Sequence, residues 1–219
     1  MNLKCPSSKS LVSPNLSRRR FTAGAAALPL LLALPGRAAS NSTIHKLEGQ
    51  VYVNNQLANM DTRLRAGDQI VVAYGGVLAM SIGGDAFLLR EGSVLEIARG
   101  NNLLVSGLRL LTGAMLAVFD KRSAPVHIAT STAVIGIRGT GVYVSAEPHK
   151  LYTCTCYGKT DLRIGGHVEE ISATHHNAHE VSDNGKGAMT MQSMEVLGHT
   201  DDELRMLEGY VGRKPLFDM

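Results

Sequence analysis

Most of the features that tie a chain to a familiar chemistry are missing here. Cysteine occurs only three times in 219 residues, too few for a disulfide framework, so the core must be held by packing. No apolar run reaches the roughly 20 residues that a membrane-spanning helix needs. No Gly-x-Ser-x-Gly elbow, phosphate loop, EF-hand loop or HExxH occurs, so no catalytic residue is assigned and a non-enzymatic role is expected. Aromatics make up 5% of the chain and are not interleaved with a basic stripe, so nucleic acid is not an expected partner. Glu169 and Glu170 adjoin, but neighbours on a strand face opposite ways, which argues against joint acid–base work.

What is present begins with a leader. Lys4, Lys9 and Arg18 to Arg20 precede an apolar stretch at about residues 21–35, and small residues follow at 38–40. The run SRRRF (17–21) resembles a twin-arginine signal, with Thr22 where that pattern prefers Leu. A general secretory signal and an uncleaved anchor are the alternatives. Cleavage near residues 38–40 would place the chain in the periplasm with no remaining transmembrane span. Of the formal net charge of +3, residues 1–39 hold six basic and no acidic groups. The remainder is therefore 16 basic against 19 acidic, or −3. The basic character belongs to the leader.

Residues 40–172 repeat one theme: apolar runs of four to seven residues broken by Gly, Asn or Asp. Asn54-Asn55 follows an alternating run, and Gly67-Asp68, Gly75-Gly76, Gly83-Gly84, Gly92, residues 100–102, Gly107 and Gly113 each precede another. A turn about every nine residues leaves no room for helices. The expectation is an all-β domain, an irregular β-solenoid or sandwich of short glycine-punctuated strands, with one short C-terminal α-helix.

Four motifs in order then resemble the FecR domain: LRAGDQI (64–70), FLLREGSVLEI (87–97), LLTGAML (110–116) and TSTAVIGIRGTGVYV (130–144). The resemblance runs from about residue 47 to 168 and implies an all-β periplasmic domain. The iron-transport regulators that name the family carry a cytoplasmic anti-sigma segment with Trp before a membrane helix. Here about 20 residues precede the apolar run and the chain has no Trp, so a sigma regulator is not expected. The resemblance points instead to a binding or sensing module whose partner is a periplasmic or envelope protein or a small ligand. In its RGT signature, Arg138 reads as a structural fork, satisfying buried carbonyls or a carboxylate such as Asp68, with Gly139 and Thr140 forming the bend. The other reading is that Arg138 grips an anion.

The stretch LYTCTCYG (151–158) reads as a strand that places Cys154 and Cys156 on one face. Their separation disfavours a disulfide unless the strand kinks, so in an oxidising compartment the thiols need burial or a metal. Histidines follow at His175, His176 and His179, with His167 before them and His199 after. Cys154, Cys156, His175, His176 and His179 are therefore the candidate ligands, suited to zinc, copper or haem iron. Packed residues without a cofactor and redox-active thiols are the competing readings. Residues 173–199 read as a polar, His-rich loop. In residues 200–219, Thr200 with Glu203 forms a capping box ahead of a helix at about 201–211, which Gly212 and Pro215 end. This tail is expected to clasp the β-domain. CxCYG, HHxxH and the helix together resemble an exported single-domain FecR-like subgroup.

Overall fold

The computed structural model describes residues 41–98, 107–183 and 188–219. The expected leader, the turn and strand expected at 100–105, and residues 184–187 of the polar segment lie outside the described residues. The strands are β1 (Ser42–Glu48), β2 (Val51–Val53), β3 (Gln56–Leu57), β4 (Gln69–Val72), β5 (Val77–Ile82), β6 (Asp85–Leu89), β7 (Val94–Ile97), β8 (Gly107–Val118), β9 (Val126–Ala129), β10 (Val134–Ile137), β11 (Gly141–Glu147), β12 (Lys150–Ile164), β13 (His167–Ala173), β14 (Asn177–Asp183) and β15 (Met189–Met194). Helix α1 (Asp201–Tyr210) follows. The expectation of an all-β fold with one C-terminal helix holds. Residues 173–199 are a correction: the segment read as a loop supplies β14 and β15, because its polar side chains sit on a sheet margin where one face meets water.

Five strands close a small barrel. β8 pairs β11, β11 pairs β12, β12 pairs β10, β10 pairs β9, and β9 returns to β8 in parallel. The remaining strands extend this ring. Two long strands make closure possible by changing direction at a glycine. β8 gives its first half to β7 and β9 and its second half to β11 and β6, turning at Gly113 (φ 84°). β12 gives residues 150–157 to β11, and its later residues to β10 and β13, turning at Gly158 (φ 86°). Such left-handed backbone is open to glycine and costly for other residues.

At Gly113 a Cβ would also lie 2.4 Å from the Ser93 Cα. Gly113→Ala is therefore expected to lose about 2–5 kcal/mol in a urea melt, combining backbone strain with overpacking. Gly92→Ala, with φ 72° but open space around it, should lose only about 1–2 kcal/mol. Equal losses at the two sites would remove the steric part of the argument.

The inward faces form the main core, with Phe87, Leu95, Leu110, Ile128, Ile135 and Ile137 fully buried. A second core lies on the outer face of β5, β6, β8, β11, β12 and β14. There Leu88, Leu116, Tyr143, Tyr152, Cys154 and Cys156 pack against Leu204 and Leu207 of α1. This explains why β6 is buried along its whole length: the barrel interior takes one face and the helix side takes the other.

Candidate metal centre

The cysteine pair sits in the second core. Tyr152, Cys154 and Cys156 alternate outward from β12, and both cysteines are free and fully buried. The strand is not regular there. Gly141 of β11 faces Tyr157 and Val142 faces Thr155, so Cys156 is an extra, bulged residue. A bulge re-aims a side chain and breaks the ladder. The Cys156 carbonyl accepts instead from the His176 amide at 2.8 Å.

His176 ends the short turn between β13 and β14 in left-handed backbone (φ 53°), a region where His is enriched among non-glycine residues. That turn passes from β13 on the later half of β12 to β14 on its first half, so it crosses beside the cysteines. His199 arrives from the other direction, between Gly198 (φ 78°) and the N-cap Thr200. The capping box forms in full, with Thr200 accepting from the Glu203 amide and Glu203 accepting from the Thr200 amide. Leu204 and Leu207 bury the helix against the cysteine face. Arg90 reaches Glu203 at 2.7 and 2.8 Å and the Gly198 carbonyl at 3.2 Å. Tyr152 donates to the Glu195 carbonyl at 2.8 Å and accepts from the Leu197 amide at 2.9 Å.

The result is four donors within 4.8 Å of one another: Cys154 Sγ, Cys156 Sγ, His176 and His199. Cys154 Sγ lies 3.6 Å from His176 Nδ1, Cys156 Sγ 3.3 Å from His199 Nε2, and the two nitrogens 3.3 Å apart. A tetrahedral zinc site has S–N edges of roughly 3.6 Å and N–N edges of roughly 3.3 Å, from Zn–S of about 2.3 Å and Zn–N of about 2.0–2.1 Å. The far nitrogens are engaged by acceptors: His199 Nδ1 donates to the Leu197 carbonyl at 3.0 Å, and His176 Nε2 to Asp201 Oδ1 at 2.8 Å. Both remaining lone pairs therefore face the sulfurs, the tautomers a metal requires. The cluster can hold a metal ion.

The electrostatics agree. A hydrogen bond from Cys156, against the opposing effect of burial and with help from His199 and His176, lowers the Cys154 thiol to about 4. Burial, and then the neighbouring Cys154, push Cys156 up. The two thiols are thus coupled, and ionisation favours Cys154 over Cys156. Burial opposes ionisation of Asp201, but the His176 and His175 hydrogen bonds prevail and keep its carboxyl below the usual range.

Of the five ligands expected from the sequence, the structure brings together Cys154, Cys156 and His176. His175 stands outside the four, 3.0 and 3.1 Å from the two oxygens of Asp201. His179 does not join: Ala178 pairs with Cys154 and His179 with Thr153, so strand alternation turns His179 to the opposite face. Its Nδ1 is buried without a hydrogen-bond partner. His199 and Asp201 were not among the expected ligands. The signal for both was the capping box, which put them at the start of a helix due to dock on the sheet.

The RGT expectation also changes. Asp68 accepts from Asn54 at 2.8 Å and from the Arg65 amide at 2.7 Å, closing a turn. Arg138 is exposed and stands 3.9 Å from Asp161 instead, because Asp161 lies opposite Gly136 on the neighbouring β12. Gly139 passes so close to Lys121 that a Cβ would meet its Cα at 2.8 Å, and buried Thr140 packs under Gly158 at the β12 turn. Gly139 and Thr140 therefore shape the barrel corner.

No family model matches the chain, and no curated protein matches it. Two crystal structures of a "putative anti-sigma factor" from Parabacteroides distasonis ATCC 8503 show a distant structural resemblance, each at 15% identity with a TM-score of 0.49. The match covers 58% of this chain and 60% of that one, less than two thirds of its length. A likeness this distant carries no argument about role.

Proposed function

We propose that the chain is a non-enzymatic, exported FecR-like binding module of the periplasm that fastens its C-terminal segment to the barrel with a Cys2His2 zinc centre. One observation carries this reading: Cys154, Cys156, His176 and His199 converge from three separate parts of the chain, with donor atoms within 4.8 Å of one another and three of the pairs at 3.3–3.6 Å. Two thiolates and two imidazoles suit zinc, and four protein donors make a closed structural site with no position left for substrate. Copper(I) accepts the same soft donors and is the competing ion. Haem fits less well, since its iron takes at most two axial ligands on opposite sides of the ring. Zinc would also shield the sulfurs from oxidation in the oxidising compartment that the leader implies. The fastened tail completes an outer surface on which a periplasmic protein or small ligand can dock.

Elemental analysis of the purified chain tests the reading. We expect at least one zinc per chain, with the thiolate-bound ion lost in the double variant Cys154→Ser/Cys156→Ser and retained in His179→Ala. Two freely titrating thiols with no bound metal would exclude it.

A further inference from the structure

His176 presents a different donor set to each of its two nitrogens. Nδ1 faces the sulfurs and His199, while Nε2 lies 2.8 Å from Asp201 Oδ1. Asp201 is shared with His175, whose Nε2 sits 3.0 and 3.1 Å from its two oxygens. His175, His176 and Asp201 thus form a second group with ligand-capable atoms within 4.8 Å of one another. It differs from the inner four in exposure. The His175 side chain is 48% exposed, against 12% for His176. His175 and Asp201 line a cavity of about 620 Å³, together with Arg205 and Phe217. Phe217 packs against the His175 ring at 4.6 Å between centroids.

We infer that His175, His176 and Asp201 form a second, solvent-open site for a divalent transition ion, joined to the inner centre through the His176 ring. The inference rests on the inner Cys2His2 reading for the role of His176 Nδ1. Two nitrogens and one carboxylate oxygen suit zinc, nickel or copper(II). Three protein donors leave at least one coordination position facing the cavity, open to water or a small anion, as in sites that exchange ligands. Binding there displaces the His176 Nε2 proton to solvent. The charges then close: two thiolates balance the inner dication, and imidazolate plus carboxylate balance the outer one. The centre would give the module a ligand-responsive position that a closed Cys2His2 site lacks. The competing account is that Asp201 only orients His176 as a metal-supporting carboxylate.

Titration of the metal-free full chain with cobalt(II) separates the two accounts. We expect two ions per chain. The first brings an intense near-ultraviolet thiolate-to-cobalt band, and the second adds none. His175→Ala should bind one ion, with the thiolate band unchanged and inner affinity altered by less than about threefold, since His175 touches neither sulfur. Saturation of the wild-type chain at one thiolate-bound ion, or two ions retained in His175→Ala, would overturn the outer site and leave the inner one standing. A single ion with no thiolate band, lost in His175→Ala, would support the outer site and remove the inner reading.

Discussion

Removing metal from the proposed Cys2His2 centre is expected to lower the thermal midpoint by roughly 8–16 °C, with the C-terminal helix coming loose before the barrel. The size follows from linkage: an ion at a thousand times its dissociation constant stabilises the folded state by about 4 kcal/mol, and each kcal/mol moves the midpoint of a domain this size by about 2–4 °C. The order follows from where the contacts lie. The main core around Phe87, Leu110 and Ile128 does not include the metal ligands, so the barrel survives, unlike a zinc finger. Helix α1 has only ten residues, too few to hold itself in water. Its attachment comes from Leu204 and Leu207, from the Tyr157 and Arg213 bonds to buried Glu208, from Arg90 on Glu203, and from His199 at its entry. Removing an ion from the proposed centre would cut the entry anchor and leave two buried sulfurs facing two imidazoles. Hydrogen exchange should therefore accelerate first across residues 195–211 and only later in β8 and β12. An unchanged midpoint after verified metal removal would show that the ion does not fasten the C-terminal segment to the barrel.

Much of this arrangement could be read from the chain because local chemistry agreed with the final fold. Asn54 and Asn55 both adopt positive φ in the hairpin between β2 and β3, as adjacent asparagines between strands suggest. The CxC pair lies on one strand face and the capping box starts the helix as expected. What could not be read depends on tertiary pairing. Whether His179 faces the sulfurs is set by which β14 residue sits opposite Cys154, and a slip of one residue would reverse the answer. The bulge at Cys156 lies where the register slips near the open end of the β11–β12 hairpin, between the Val142–Thr155 and Gly141–Tyr157 pairs, and no residue type in the sequence marks that slip. His199 becomes a ligand only because Leu204 and Leu207 dock on the cysteine face. Arg138 finds Asp161 rather than Asp68 because sheet order places β10 beside β12 and Asp68 in a turn with Asn54.

Gly198→Ala is expected to weaken metal binding by about 10- to 100-fold, the range seen when a supporting residue of a metal site is lost, without touching a ligand. The backbone at Gly198 has φ 78°, and an added Cβ would lie 2.3 Å from the Tyr143 hydroxyl oxygen and 2.5 Å from Cζ. A free phenol would swing aside, but this one is held. Tyr143 is 6% exposed, its ring stacks on His199 at 4.9 Å, and it meets Tyr152 edge-on at 5.9 Å. Either the ring moves and His199 loses its stacking partner, or residues 198–199 shift outward and carry Nε2 away from its position 3.3 Å from Cys156 Sγ. Both routes spoil the fourth donor. Strain in the left-handed region adds a stability loss of about 1–2 kcal/mol. Gly209→Ala is the matched control: it lies inside α1 with nothing within 4 Å of its added Cβ, so it should stabilise the helix by up to about 1 kcal/mol and leave affinity unchanged. Competition against a chromophoric chelator reads the affinities, and a thermal melt reads the stabilities. Wild-type affinity in Gly198→Ala would mean that His199 reaches the ion from a backbone free to adjust, and that the ring stack beneath it does not hold the centre in place.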